Sequence, residues 1–159
     1  MAKTAKKPIF NDLIQRLKLI KAEDIMTKKI ITTTPDTHLA DVAHILIKCR
    51  ISGLPVIDEK KKLVGIVTAS DLFILMDMIK SGDVVEDGHM AVPNPTAKFA
   101  MSTDVITVQK HVNLNEIIAL MKYRNIHTLP VYDGDEMVGV IGRRDIYRNF
   151  YRAVKELHL

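Results

Sequence analysis

The chain has 159 residues, of which 47% are hydrophobic and 26% charged, and it carries a net charge of +4. That is enough apolar material for one domain of ordinary size or two intimately packed halves. No apolar run approaches the ~18 residues that span a bilayer, and the basic start Met1–Pro8 lacks the apolar stretch of a secretory signal. A single cysteine, Cys49, excludes an internal disulfide framework and fits a reducing cytoplasm. It lies in an apolar helical pattern, which favours a small core residue over a nucleophile. The absence of Trp and an aromatic content of 5% argue against a stacking platform for single-stranded nucleic acid.

In chain order, Asn11–Ile20 reads as a short amphipathic helix, with Leu13, Ile14, Leu17 and Ile20 on one face and Asn11 or Asp12 as its cap. Ile30–Thr33 is a short β-branched strand halted by Pro35. Asp36-Thr37 can cap the next helix, whose apolar face is Leu39, Val42, Ala43 and Leu46 and which Gly53 ends. Leu54–Ile57 and Leu63–Val67 form a hairpin, and a helix follows over about Ser70–Ile79. Residues 81–95, with two Gly and two Pro, read as a linker. The order then returns: strand Val105–Val108, a helix through Leu114, Ile117, Ile118 and Met121, strands Leu129–Tyr132 and Met137–Ile141, and a long helix from about Arg144 to Leu157. That last helix bears Tyr147, Phe150, Tyr151 and Val154 at helical spacing.

The second half repeats the first in residues as well as in pattern. Ala22, Met26, Ile31, Leu54, Pro55 and Val56 return 75 positions later as Ala97, Met101, Ile106, Leu129, Pro130 and Val131. Val64, Gly65 and Asp71 return 74 positions later as Val138, Gly139 and Asp145. The expected organisation is a basic tail and helix over 1–21, a first unit over 22–80, the linker, and a second unit with a helical extension over 96–159. Each unit runs β-α-β-β-α in an α/β (α+β) fold. A small sheet with helices on one face leaves its other face bare, so the two units should pack through their sheets about a pseudo-twofold axis.

The segment with most chemical content is Gly65-Ile-Val-Thr-Ala-Ser-Asp71, which runs from strand into helix. Thr68 and Asp71 have the spacing of a helix cap. The same geometry suits a nucleotide, because free N–H groups at a helix start bind phosphate and a nearby carboxylate accepts hydrogen bonds from ribose hydroxyls. The second copy, Gly139-Val-Ile-Gly-Arg-Arg-Asp145, keeps the acid, loses the hydroxyl and gains Arg143 and Arg144, whose guanidinium groups suit phosphate. The helix-to-strand turns Ile51–Pro55 and Ile126–Pro130 form the second repeated pair, with His127 in the place of Ser52. The histidines show no metal spacing, and no catalytic motif or acid/base pair occurs, so the sequence gives no support for an enzyme.

Taken in order and twice over, Ile25-Met26-Thr27 with Ile31-Thr32 and Pro35, Ser52–Asp58, and Gly65–Asp71 resemble a tandem CBS-domain pair, or Bateman module, across about residues 20–152. The resemblance implies adenosine-containing ligands, namely AMP, ADP, ATP or S-adenosylmethionine, in two clefts between the repeats. One cleft would hold Ile66, Thr68, Ser70 and Asp71 with Val105, Ile126, His127 and Thr128. The other would hold Val140, Gly142, Arg143, Arg144 and Asp145 with Thr27, Ile30, Ile51, Ser52 and Gly53. Gly142, where a hydroxyl is usual, and Thr128, where some nucleotide-sensing relatives carry Arg, depart from the family pattern.

The leading expectation is a cytoplasmic regulatory module that senses an adenine nucleotide, forms a homodimer and signals in trans to an effector protein. It needs no cofactor and contacts no membrane. The competing reading is a basic scaffold or nucleic-acid-binding protein with vestigial clefts, which would show steeply salt-dependent binding and indifference to adenine.

Overall fold

The computed structural model describes residues 6–81, 85–86, 89–90 and 95–156. It divides into two compact units that do not follow the sequence repeats. Residues 1–30 join 106–159 in one unit, and 31–105 form the other.

In the first unit, α1 (Lys6–Leu19) and the single-turn α2 (Ala22–Ile25) accompany β5 (Val108–Gln109), α6 (Leu114–Tyr123), β6 (Thr128–Asp133), β7 (Glu136–Gly142) and α7 (Arg143–Glu156). β5 pairs parallel with β6, and β6 pairs antiparallel with β7, giving the order β5-β6-β7. The core gathers Leu114, Ile117 and Met121 of α6, Leu129 and Val131 of β6, Ile141 of β7, and Ala22 and Ile25 of α2. The three-to-four spacing of the α6 residues and the alternation along the strands supply this face. Asn113 caps α6, its side chain accepting the Glu116 N–H at 3.1 Å and donating to the Glu116 carboxylate. α1 lies against α6 and α7, with Leu13 buried and Arg16 paired to Glu156 at 3.1 Å.

The second unit contains α3 (Leu39–Cys49), the hairpin β1 (Gly53–Ile57) and β2 (Leu63–Thr68), α4 (Ala69–Ser81), the two-residue strands β3 (Val85–Glu86) and β4 (His89–Met90), and α5 (Ala97–Ala100). Leu39, Val42 and Leu46 of α3 pack with Leu54, Val56, Val67, Leu75 and Ala97. The mixed helix-and-sheet architecture expected from the sequence is what the chain adopts.

Each unit takes a segment from the other sequence repeat and holds it by the same contacts. Ala22 N–H donates to Val112 O at 2.8 Å, and Glu23 N–H to Lys110 O at 2.9 Å. In the second unit Ala97 N–H donates to Thr37 O at 2.8 Å, and Lys98 N–H to Pro35 O at 2.9 Å. Both pairs satisfy N–H groups at a helix start that have no partner within the helix. Next along the chain, Thr27 exchanges two backbone hydrogen bonds with Val140, at 2.9 and 3.1 Å, as Ser102 does with Ile66, both at 2.9 Å. Between these ties Met26 lies over Gly139 and Met101 over Gly65. A Cβ at Gly139 would stand 2.5 Å from Met26 Sδ, and one at Gly65 would stand 2.6 Å from Met101 Sδ.

Several local expectations are corrected. α1 begins at Lys6, so Asn11 and Asp12 lie inside it; Pro8 falls in the first turn, where its missing N–H has no intrahelical partner to lose. Ile30–Thr33 is not a strand: only Thr33 reaches a partner edge, bridging Val56. The strand at 105–108 shrinks to Val108–Gln109 for the same reason. His38, not Asp36 or Thr37, precedes α3, because the Thr37 hydroxyl is engaged with Thr34. α3 ends at Arg50 in the left-handed region (φ 54°), its N–H donating to Ile47 and Leu46 carbonyls, and Gly53 opens β1 instead. Cys49 is exposed rather than core, because the buried stripe of α3 ends at Leu46. The two short helices α2 and α5 went unanticipated. Most of the expected linker, the first five residues and the end of the last helix lie outside the described residues.

Gly139→Val should destabilise the protein by about 1–3 kcal/mol, the usual cost of forcing extra carbons into a packed contact. Met26→Ala in the same chain should recover part of that loss, because the two sites are in contact. Chemical denaturation of the two single variants and the double variant checks this; additive losses would contradict the packing described.

Candidate functional site

The turn from β2 into α4 is built as a capping box. Thr68 is the last residue of the strand and the cap of the helix, and Asp71 sits three residues on. Asp71 Oδ2 accepts the Thr68 N–H at 2.7 Å and the Thr68 hydroxyl at 2.6 Å, while Thr68 Oγ1 receives the Asp71 N–H at 3.3 Å. Both bonds that the carboxylate accepts fall on the one oxygen Oδ2, and Asp71 is half-buried. The capping expectation for Thr68 and Asp71 holds in full. Ser70 is exposed on the first turn, and Ile66 is buried on β2.

The turn from β7 into α7 keeps half of that box. Gly142 N–H donates to Asp145 Oδ2 at 2.8 Å, with no hydroxyl beside it. Arg148 Nη1 lies 3.9 Å from Asp145 Oδ1, and the Asp145 side chain is 14% exposed. Arg143 and Arg144 are exposed on the first turn of α7. Two cations there oppose the positive end of the helix dipole, and Asp145 offsets only part of that.

Each acid-bearing turn adjoins the helix-to-strand turn of its own unit. Ala69 N–H donates to Ser52 O at 3.0 Å, and Gly53 pairs with Thr68. Arg143 N–H donates to His127 O at 3.3 Å, and Thr128 pairs with Gly142. The second unit thus brings together Ile51, Ser52, Gly53, Ile66, Thr68, Ser70 and Asp71. The first unit brings together Ile126, His127, Thr128, Val140, Gly142, Arg143, Arg144 and Asp145, and adds Thr27 through its bridge to Val140. Ile30 and Val105 are half-buried, each at the border of its unit. Ser102 was missed by the sequence reading. It is the counterpart of Thr27 at the 75-residue spacing and bridges Ile66, so the repeat itself was the signal.

Away from these turns, a polar recess of about 490 Å³ is lined by Glu23, Asp24, Lys28, Lys110 and Asp133, among others. The 2.6 Å contact with Asp133 holds the Lys110 ammonium above its ordinary pKa. Among the described residues no cluster of His, Cys, Asp and Glu could hold a metal ion. None of the described helices is long and apolar enough to cross a membrane.

Two repeats with this element order, each presenting an acid at a strand-to-helix turn, define a tandem CBS pair. The chain belongs to the CBS domain family, whose profile matches residues 22–77 and 97–152. It is 30% identical over 129 residues to inosine-5'-monophosphate dehydrogenase of Methanocaldococcus jannaschii, covering 80% of this chain but 23% of the dehydrogenase. The chain thus spans about a quarter of that enzyme's length. It is 28% identical over 152 residues to the 5'-AMP-activated protein kinase subunit gamma of Dictyostelium discoideum, covering 89% of this chain and 26% of that subunit. Among solved structures, the CBS domain pair of protein MJ0100, in complex with 5'-methylthioadenosine and S-adenosyl-L-methionine, superposes with a TM-score of 0.71 at 30% identity. That superposition covers 84% of this chain and 98% of the other.

Thr68→Ala removes the hydroxyl from the box and should lower stability by about 1 kcal/mol. The same change cannot be made at Gly142, where the hydroxyl is already missing, so Asp145→Ala should cost less stability than Asp71→Ala. Urea denaturation of the three variants checks the ordering; equal losses at the two acids would contradict it.

Proposed function

We propose that this CBS pair is a regulatory binding module for an adenosine-containing ligand, AMP, ADP or ATP before S-adenosylmethionine, and that it performs no catalysis. The observation that carries the reading is the repeated acid, Asp71 and Asp145, held at a helix start with its second carboxylate oxygen outside the cap. A carboxylate so placed accepts hydrogen bonds from the two hydroxyls of a ribose. The likeness to a CBS pair solved with two adenosine compounds supports the same choice. Arg143, Arg144 and His127 stand beside Asp145 and would favour a phosphate there, whereas the Asp71 turn offers the Thr68 and Ser70 hydroxyls. The two turns therefore differ in preference, with the Arg-bearing one drawn to more phosphates.

The output is binding itself: the module works as a homodimer in the cytoplasm and passes ligand occupancy to a separate effector protein. The exposed aromatic side chains of α7 support self-association. The basic-scaffold alternative has only the overall charge in its favour.

Calorimetry with adenosine, AMP, ADP, ATP and S-adenosylmethionine tests this. Asp71→Ala or Asp145→Ala should weaken the ligand that each holds by about 1–3 kcal/mol, the worth of hydrogen bonds to a charged group. Arg144→Ala should flatten the gain in affinity from adenosine to the phosphorylated ligands. Unchanged affinity for every adenine compound in both acid variants would defeat the assignment.

A further inference from the structure

The two acid-bearing turns differ in what stands beside the carboxylate oxygen that the cap leaves over. At Asp145 the cap takes Oδ2, through the Gly142 N–H at 2.8 Å. Oδ1 has a guanidinium next to it: Arg148 Nη1 lies 3.9 Å away, three residues on along α7. The Asp145 side chain is 14% exposed and that of Arg148 is 50% exposed. At Asp71 the Thr68 N–H and hydroxyl likewise fall on Oδ2, at 2.7 and 2.6 Å. The residue equivalent to Arg148, at the same 74-residue spacing as the two acids, is Ile74. Its side chain is 57% exposed and has no donor to offer.

A ribose engages a carboxylate by donating its hydroxyls, and a guanidinium is a donor only, so the two compete for one acceptor. The guanidinium has the advantage of charge, and its place three residues along the same helix holds it near the acid without a second molecule being ordered. An uncharged nucleoside brings nothing to replace the ion pair it breaks. A phosphorylated ligand brings its own anion, so the displaced cation exchanges one charged partner for another. Arg143 and Arg144 stand on the same turn and act in the same direction.

We propose that Arg148 is a specificity-determining residue of the Asp145 turn, which competes with ribose for Oδ1 and so sets this turn against adenosine compounds that lack a phosphate. The Asp71 turn, with Ile74 in the equivalent place, carries no such competitor. Selectivity of this kind comes from an element opposed to the wrong ligand, beside those that attract the right one. It rests on the adenosine-ligand reading above and adds which turn rejects the uncharged compounds, and by which side chain.

Calorimetry with adenosine and with AMP tests it, in an Asp71→Ala background so that the Asp145 turn alone is read. Arg148→Ala should tighten adenosine there by about two- to fivefold, the range that a half-exposed ion pair is worth, and should change AMP less. The gap between the two ligands then narrows from the adenosine side, whereas Arg144→Ala narrows it from the AMP side. Arg148→Met, which keeps the aliphatic stem and removes the donors, should behave as Arg148→Ala does. Added salt should tighten adenosine in the Asp71→Ala protein and leave it unmoved once Arg148 is replaced, because salt screens the ion pair and the ligand has no charge to screen. In the reciprocal Asp145→Ala background, Ile74→Arg should weaken adenosine by a similar factor. Adenosine affinity that is unchanged or lower in both Arg148 variants, while AMP still binds, would overturn this inference alone. Failure of both adenosine and AMP to bind in the Asp71→Ala protein removes the Asp145 site and the inference with it.

Discussion

The contact on which the structure depends is a methionine laid over a glycine. Met26 crosses Gly139 and Met101 crosses Gly65, with no room for a Cβ beneath either sulfur. On each side of that contact a short helix and a bridging residue are tied by backbone hydrogen bonds to loops and strands of the other sequence repeat. The outcome is two units, each with a hydrophobic core of its own and each assembled from both repeats. Remove the exchanged segment and Ala22 and Ile25, or Ala97, leave the core they help to close.

The same exchange shapes the site. The bridge from Thr27 to Val140, and its counterpart from Ser102 to Ile66, delivers a segment of one repeat beside the strand that runs into the other repeat's acid-bearing helix. Both turns then present an aspartate whose carboxylate is already oriented by a backbone N–H. In each turn the capping bonds engage one carboxylate oxygen, Oδ2, and leave Oδ1 outside the cap; at Asp145 that second oxygen lies 3.9 Å from Arg148 Nη1. The two turns have diverged around that shared acid. One retains a hydroxyl in the cap; the other has glycine there and two arginines on the following turn, at a cost in helix-dipole energy that an anion would offset.

The asymmetry extends to the helix exteriors. α4 presents aliphatic side chains and Phe73 with little charge, and α7 presents tyrosines among arginines. Apolar side chains at equivalent positions, with little charge on α4 and several arginines on α7, give the chain two distinguishable helix faces from a single duplicated plan.

By itself the sequence determined the repeat, the hairpins, the principal helices and the two aspartates with their caps. These are set by local periodicity, by side-chain spacing along one helix turn, and by identity at a fixed offset. It also determined the family, because three short patterns recurred in the same order. The resemblance grouped Thr27 with Val140 and Val105 with Ile66, but only the tertiary structure decided that the whole segments 22–30 and 97–105 change partners, since a backbone hydrogen bond between Thr27 and Val140 leaves no periodic trace in either segment. That exchange is why Ile30–Thr33 failed as a strand: β-branched residues favour an extended chain, but a strand also needs an edge to pair with, and only Thr33 meets one. Cys49 misled for a related reason, because helical spacing gives the face a residue lies on but not where the sheet beneath that face ends. Gly139 and Gly65 stand out in the sequence only as a repeated pair; the methionine that lies across each comes from a distant part of the chain, and that steric demand exists only in the folded protein.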